Sequence, residues 1–210
     1  MYKLYWDPGS ASMAPHAVLE EIEAPHELVL VDTEKGEHRT PEYKKLNPNA
    51  RVPTLEHDGM IMFESAAICL YLCERHPEAK LMPPVGSPKR GHFLQWLTFL
   101  TNTVQEALMQ WHHSDYYADE VHCRQAVKEQ SETKLDKLWQ QLDAALGHDG
   151  PYLLGETFSV ADIYLTMLAR WTRKQAKPAT AYANIKRCVE LVKARPAYQR
   201  MLKAEGIEQP

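Results

Sequence analysis

No apolar run in this chain approaches the ~18 residues that a membrane-spanning helix needs. The start, Met1 to Pro8, breaks at proline and carries no apolar leader. A soluble, unexported, cytoplasmic protein is expected. Dense Lys/Arg stripes are missing too: 24 basic residues stand against 28 acidic ones, for a net charge of -4, which argues against a nucleic-acid partner. Cysteine is scarce. Only Cys69, Cys73, Cys123 and Cys188 occur, and no Cys-x-x-Cys pair or nearby histidine completes a metal site. No metal is therefore expected, and the cysteines read as free thiols in a reducing compartment. Internal repeats and low-complexity tracts are also lacking. What remains is an ordinary globular composition, 44% hydrophobic over 210 residues, with room for two domains.

Residues 2–6 are rich in β-formers and predict a strand that Pro8-Gly9 ends. Ser10-Ala11-Ser12 leads into a helix through about Glu23, with Ser12 as a candidate N-cap and Pro15 in the first turn, where a missing N–H costs nothing. Residues 26–32 predict a second strand, parallel to the first across the crossover. A short helix near 41–46 follows, then strands at 52–57 and 60–63 joined by Asp58-Gly59, a hairpin signal. Glu64-Ser65 opens a helix to about Arg75.

The order βαβαββα over residues 1–76 suits a thioredoxin-like α/β domain with a mixed four-stranded sheet. Residues 77–88, with four prolines, read as a linker, and residues 89–210 as an all-helical domain. Within it, Ser159 and Asp162 are spaced as a capping box, with Phe158 and Ile163 as its hydrophobic staple.

Three stretches together resemble the cytosolic glutathione transferase superfamily: Arg51-Val52-Pro53, Glu64-Ser65, and the run from Gly155 to Asp162. The stretch from Tyr5 to His16, and Arg170-Trp171, resemble its bacterial beta-type members. Two positions depart from that type: Ala11 stands where a cysteine is usual, and Gln105 where a histidine is frequent. The resemblance implies a glutathione transferase, with glutathione as co-substrate, that adds the thiolate to a hydrophobic electrophile held by the helical domain. It also implies a homodimer.

Covalent glutathione chemistry is disfavoured by Ala11, so a hydroxyl is expected to activate the thiol. Ser12 stands first for this role, Ser10 second and Tyr5 third. The resemblance further implies a cis Val52–Pro53 bond, with the Val52 backbone pairing glutathione as an added strand. Glu64 and Ser65 are expected at the γ-glutamyl end, and Lys35, His38 and Arg51 at the glycine carboxylate. His16 is expected to pack or support, and the aromatics Trp111, Tyr116, Tyr117 and Trp171 to line the electrophile pocket. Two alternatives stay open: a glutathione-dependent disulfide reductase or peroxidase, and a non-catalytic interaction module of the same fold.

Overall fold

The computed structural model describes residues 1–208. Their contacts group into two compact units, Met1–Met82 with the residues from Lys193 on, and Pro83–Val192. The last segment thus joins the first unit, although in chain order it follows the helical one.

The first unit holds β1 (Tyr2–Trp6), α1 (Met13–Glu21), β2 (His26–Leu30), α2 (Pro41–Lys44), β3 (Thr54–His57), β4 (Met60–Phe63), α3 (Ser65–Arg75) and α9 (Pro196–Ala204). The sheet order is β2-β1-β3-β4. β1 pairs with β2 in parallel, Leu4 opposite Leu28, and with β3 antiparallel, Tyr5 opposite Thr54. The β3–β4 hairpin turns at Asp58 (φ 50°) and Gly59 (φ 79°), both left-handed as a type I′ turn requires. β3 starts at Thr54 instead of Val52; Pro53 has no N–H to give a ladder.

Helix α1 is buried on every side from Met13 to Leu19, packed against α3 and α9. Such a helix would normally be apolar throughout, yet it contains His16. Its exposed end is tied to the returning segment by ion pairs: Arg195 grips Glu21 with two N–H groups, one at 2.7 Å, and Arg200 Nε donates to Glu20 at 2.6 Å.

The second unit contains α4 (Lys89–Phe99), a π-helical stretch (Leu100–Gln105), α5 (Glu106–His112), α6 (Val121–Asp149), α7 (Val160–Trp171) and most of α8 (Ala183–Lys193). Among the described residues no helix is long and apolar enough to cross a membrane. Every residue of α7 from Val160 to Ala169 is buried, so this helix is the unit's core. Its start is fixed by Asp162, whose carboxylate accepts from the N–H of Leu153 (2.8 Å) and of Ser159 (2.9 Å) and from the Ser159 hydroxyl (3.2 Å). Ser159 and Asp162 thus form the capping box that their spacing predicts, each side chain meeting the other's backbone N–H. Phe158 stacks its edge on Tyr152, 5.5 Å between centroids.

Burial outweighs these three hydrogen bonds and pushes the Asp162 carboxyl up to about 6. Unfolded, the same carboxyl titrates near ~3.9. Between those values the folded state holds more protons, so this group makes stability fall as pH rises from about 4 to 6. Asp162→Asn removes that titration and one acceptor oxygen. The wild type's advantage in melting temperature over Asp162→Asn should therefore be larger at pH 4 than at pH 6.5, as calorimetry would show; a constant difference would assign Asp162 an ordinary carboxyl. Asp162→Ala, which strands two buried N–H groups at about 1–3 kcal/mol each, should melt several degrees lower at either pH.

Candidate active site

Between β1 and α1 the chain makes a tight loop, residues 7–12. Gly9 sits at φ +70°, where a side chain would be strained. Its N–H donates to Glu205 Oε2 at 3.0 Å, and the other oxygen of Glu205 accepts from His16 Nδ1 at 2.9 Å. Both the His16 and Glu205 side chains are fully buried. The loop is thus anchored by a carboxylate from beyond α9.

The two serines are bonded to each other, Oγ to Oγ at 2.8 Å, but their surroundings differ. Ser12 is 0% exposed. Its hydroxyl donates to the Asp7 carbonyl at 3.1 Å and accepts the Asp7 N–H at 3.3 Å. It does not cap α1: its backbone is already helical and its side chain turns back to the strand end. Ser10 is half-buried and its oxygen accepts the Ser12 N–H at 3.1 Å. Of the two hydroxyls, the one the sequence ranked second has open surroundings, and the one ranked first is enclosed.

Ser65 brings α3 to the same place. Its hydroxyl donates to the Ala11 carbonyl at 2.7 Å. It therefore links helix to loop, and does not cap the helix. The residue before α3 is Glu64, exposed and held at φ 73°, ψ 108°, a conformation a non-glycine residue adopts only where the surroundings impose it. The Val52–Pro53 bond is cis. It directly precedes β3, whose neighbour β1 runs into the serine loop. The Val52 N–H and C=O have no hydrogen-bond partner among the described residues. Ser10, Val52, Glu64 and Ser65 thus flank the same end of the central strands β1 and β3, where α1 and α3 begin.

The remaining candidates are more dispersed. Tyr5 donates to Glu56 at 3.1 Å; burial, and then that carboxylate, raise its hydroxyl's pKa, so it is poorly suited to give up its hydrogen bond. The sequence did not reveal this partner, which lies across the β1–β3 ladder. Asp7, another residue it did not single out, accepts from the Thr33 hydroxyl at 2.8 Å and so draws the loop of Lys35 and His38 toward the end of β1. His38 is half-buried, its Nδ1 has no partner, and its pKa is lowered by burial and then by Arg39. Lys35 is exposed and paired with Asp32 at 2.6 Å. The Arg51 side chain is exposed, while its carbonyl accepts from Tyr43 (2.9 Å) and Asn47 (2.8 Å), which braces the turn before Val52. Cys69 and Cys73 are buried in α3 and burial raises both thiols, Cys73 to about 12, so neither supplies a thiolate.

Two family models match the chain: the N-terminal domain of glutathione S-transferase over residues 1–74, and the C-terminal domain over residues 105–205. Glutathione S-transferase GST-4.5 of Xanthomonas campestris pv. campestris is 30% identical, over 98% of this chain and 99% of its own. The disulfide-bond oxidoreductase YfcG of Escherichia coli is 32% identical, over 98% and 96%. Among solved structures, a glutathione transferase homolog from Sulfitobacter with bound glutathione superposes with a TM-score of 0.90 at 27% identity, covering 99% of each chain.

The anchoring of the loop is open to direct test. Glu205→Ala removes the acceptor of the Gly9 N–H and strands the buried His16 Nδ1, the latter alone at about 1–3 kcal/mol. Its melting temperature should fall clearly, with Glu205→Gln intermediate. An unchanged melt for Glu205→Ala would mean that the contact contributes nothing.

Proposed function

The chain belongs to the glutathione S-transferase family, and we propose that it binds glutathione along the Val52 backbone and uses the Ser10 hydroxyl to hold the sulfur as a thiolate. The observation that carries this is the serine pair: an accessible hydroxyl with an enclosed one behind it. When Ser12 donates to the Asp7 carbonyl, Ser10 gives its proton to Ser12. If Ser12 turns its proton toward Ser10 instead, the Ser10 proton is released toward an incoming sulfur. Ser12 is then a positioning residue, and Ser10 the group that touches the reacting atom.

The thermodynamic demand is modest. A free thiol titrates near ~8.5, and lowering that to about 6.5 takes roughly 2.7 kcal/mol of preference for the thiolate. One hydroxyl donor, the N-terminus of α1 and exclusion of water are together adequate to this. The extended tripeptide pairs with the open N–H and C=O of Val52. Its γ-glutamyl carboxylate lies against the N–H groups that open α3 at Ser65, and Glu64 receives its amino group. His38, with an unpartnered ring nitrogen, and the more exposed Lys35 and Arg51 attract its glycine carboxylate.

The second substrate is an apolar electrophile bound by the helical unit, and the bond formed joins the glutathione sulfur to its electrophilic carbon. Detoxification in the cytoplasm suits a chain whose four cysteines are free. Assembly as a homodimer is part of the same reading. A monomer mass of 24.1 kDa by light scattering at micromolar concentration would count against it. Likeness to a disulfide-bond oxidoreductase favours one second reading, exchange on a small disulfide, in which glutathione must bring the thiols because Cys69 and Cys73 are buried. Turnover of a model disulfide that exceeds turnover of every electrophile tried would favour it.

The thiolate assignment is read from the ultraviolet absorbance of the enzyme–glutathione complex against pH. Ser10→Ala should raise the bound thiol's pKa by one to two units, about 1.4–2.7 kcal/mol, with glutathione affinity nearly unchanged, since the peptide contacts lie elsewhere. Ser12→Ala should shift it less and lower the melting temperature as well. A larger shift in Ser12→Ala would return the role to Ser12, and no shift in either would move it to another donor.

A further inference from the structure

Along α1 and at the start of β2, three side chains bring donor atoms close together. His16 and Glu20 lie one helical turn apart on α1, and His26 opens β2. One donor atom from each lies within 4.8 Å of the other two. We propose that His16 Nε2, His26 Nε2 and Glu20 Oε1 form a site for a divalent transition-metal ion, most simply Zn²⁺. Nothing in the thiol chemistry above requires such a site.

The hydrogen bonds around the cluster prepare it. His16 Nδ1 faces the Glu205 carboxylate at 2.9 Å, and His26 Nδ1 faces the Ala24 carbonyl at 2.8 Å. Both partners are acceptors, so in each neutral ring the proton sits on Nδ1 and the lone pair is on Nε2. An outer carboxylate or carbonyl that holds the ring in this tautomer is the usual support of a metal-bound histidine. His16 Nε2 is buried and has no hydrogen-bond partner, which is costly for an acceptor unless something occupies it. Glu20 is similarly divided: Oε2 takes the Arg200 Nε at 2.6 Å, while Oε1 stands 3.7 Å from His26 Nε2 with no short bond between them. Arg200 fixes the carboxylate without occupying its second oxygen.

The donor set suits the ion. Two imidazoles and one carboxylate are common ligands for Zn²⁺, with water in the fourth position. Donors at ~2.1 Å from one ion can be no more than ~4.2 Å apart. The three donors already lie within 4.8 Å of one another, and His26 Nε2 and Glu20 Oε1 are 3.7 Å apart, so small side-chain rotations bring them into range. A surface depression lined by Leu19, Glu20, Glu23, Ala24, His26 and Arg200 reaches two of the three ligands, Glu20 and His26, from solvent.

The test uses the full chain, stripped with a chelator and desalted, and titrated with Zn²⁺ alone by calorimetry. One equivalent should bind and raise the melting temperature. His26→Gln, at a partly exposed position, should weaken binding by more than the ~10–100-fold that loss of an outer-shell partner causes, and Glu20→Gln should weaken it too. If either variant fails to fold, the other decides. Cys123→Ser is the control, since the exposed Glu120 and His122 also cluster with the half-buried Cys123. Cobalt substitution adds a signature: imidazole and oxygen ligation gives no thiolate-to-metal charge-transfer band. Absence of saturable binding, binding unchanged in His26→Gln, or such a band abolished by Cys123→Ser, would each overturn the proposal.

Discussion

The Glu205 carboxylate fastens the binding loop to the rest of its unit. It is fully buried, and a buried carboxylate is tolerable only when strong donors surround it. It has two in the loop and its helix, the Gly9 N–H and His16 Nδ1. Gly9 in turn holds the left-handed turn of the loop that carries the two serines. Helix α1 can carry a polar residue in its buried middle because this carboxylate meets it. The paired Arg195 and Arg200, on the same returning segment, secure the outer end of α1 and so align Glu205 with the loop.

The helical unit solves a similar problem in the same way, at shorter range. Asp162 is a buried carboxylate whose acceptor oxygens gather backbone N–H groups from the preceding loop and from its own helix start. Its backbone donors lie within nine residues, so it organises local structure. Those of Glu205 lie up to 196 residues away, so it organises topology. Each unit therefore has one charged group that sets where its most buried helix begins and how the adjoining loop runs.

Much of this was legible in the chain. Short-range chemistry marks the elements: β-rich residues at the start, Asp58-Gly59 as a turn whose two left-handed residues are both tolerant, and Ser159 with Asp162 at cap spacing. The Val52-Pro53 and Glu64-Ser65 stretches marked a cis bond and a helix start, and both are present. Their detailed roles were not legible, because these depend on partners distant in sequence. That Ser65 reaches the Ala11 carbonyl, and that Tyr5 is committed to Glu56, follow only once β1, β3 and α3 are assembled. Ser10 and Ser12 carry the same group two residues apart, and only the folded loop, with Ser12 bonded to the Asp7 backbone, shows which is enclosed. Glu205 lies in a polar tail that reads as ordinary surface helix. His16 and Glu20 show helical spacing, but His26 joins them only because β2 begins where it does.

The division of the first unit between the two ends of the chain bears on the order in which the protein matures. Synthesis delivers the loop with Ser10 at the outset and Glu205 only after the whole helical unit. Until then the sheet, α1 and α3 can pair, but the Gly9 N–H has no carboxylate to meet. The loop between β1 and α1 is made early and secured late. A nascent chain would close the contact between Gly9 and Glu205 only after the helical unit has been made.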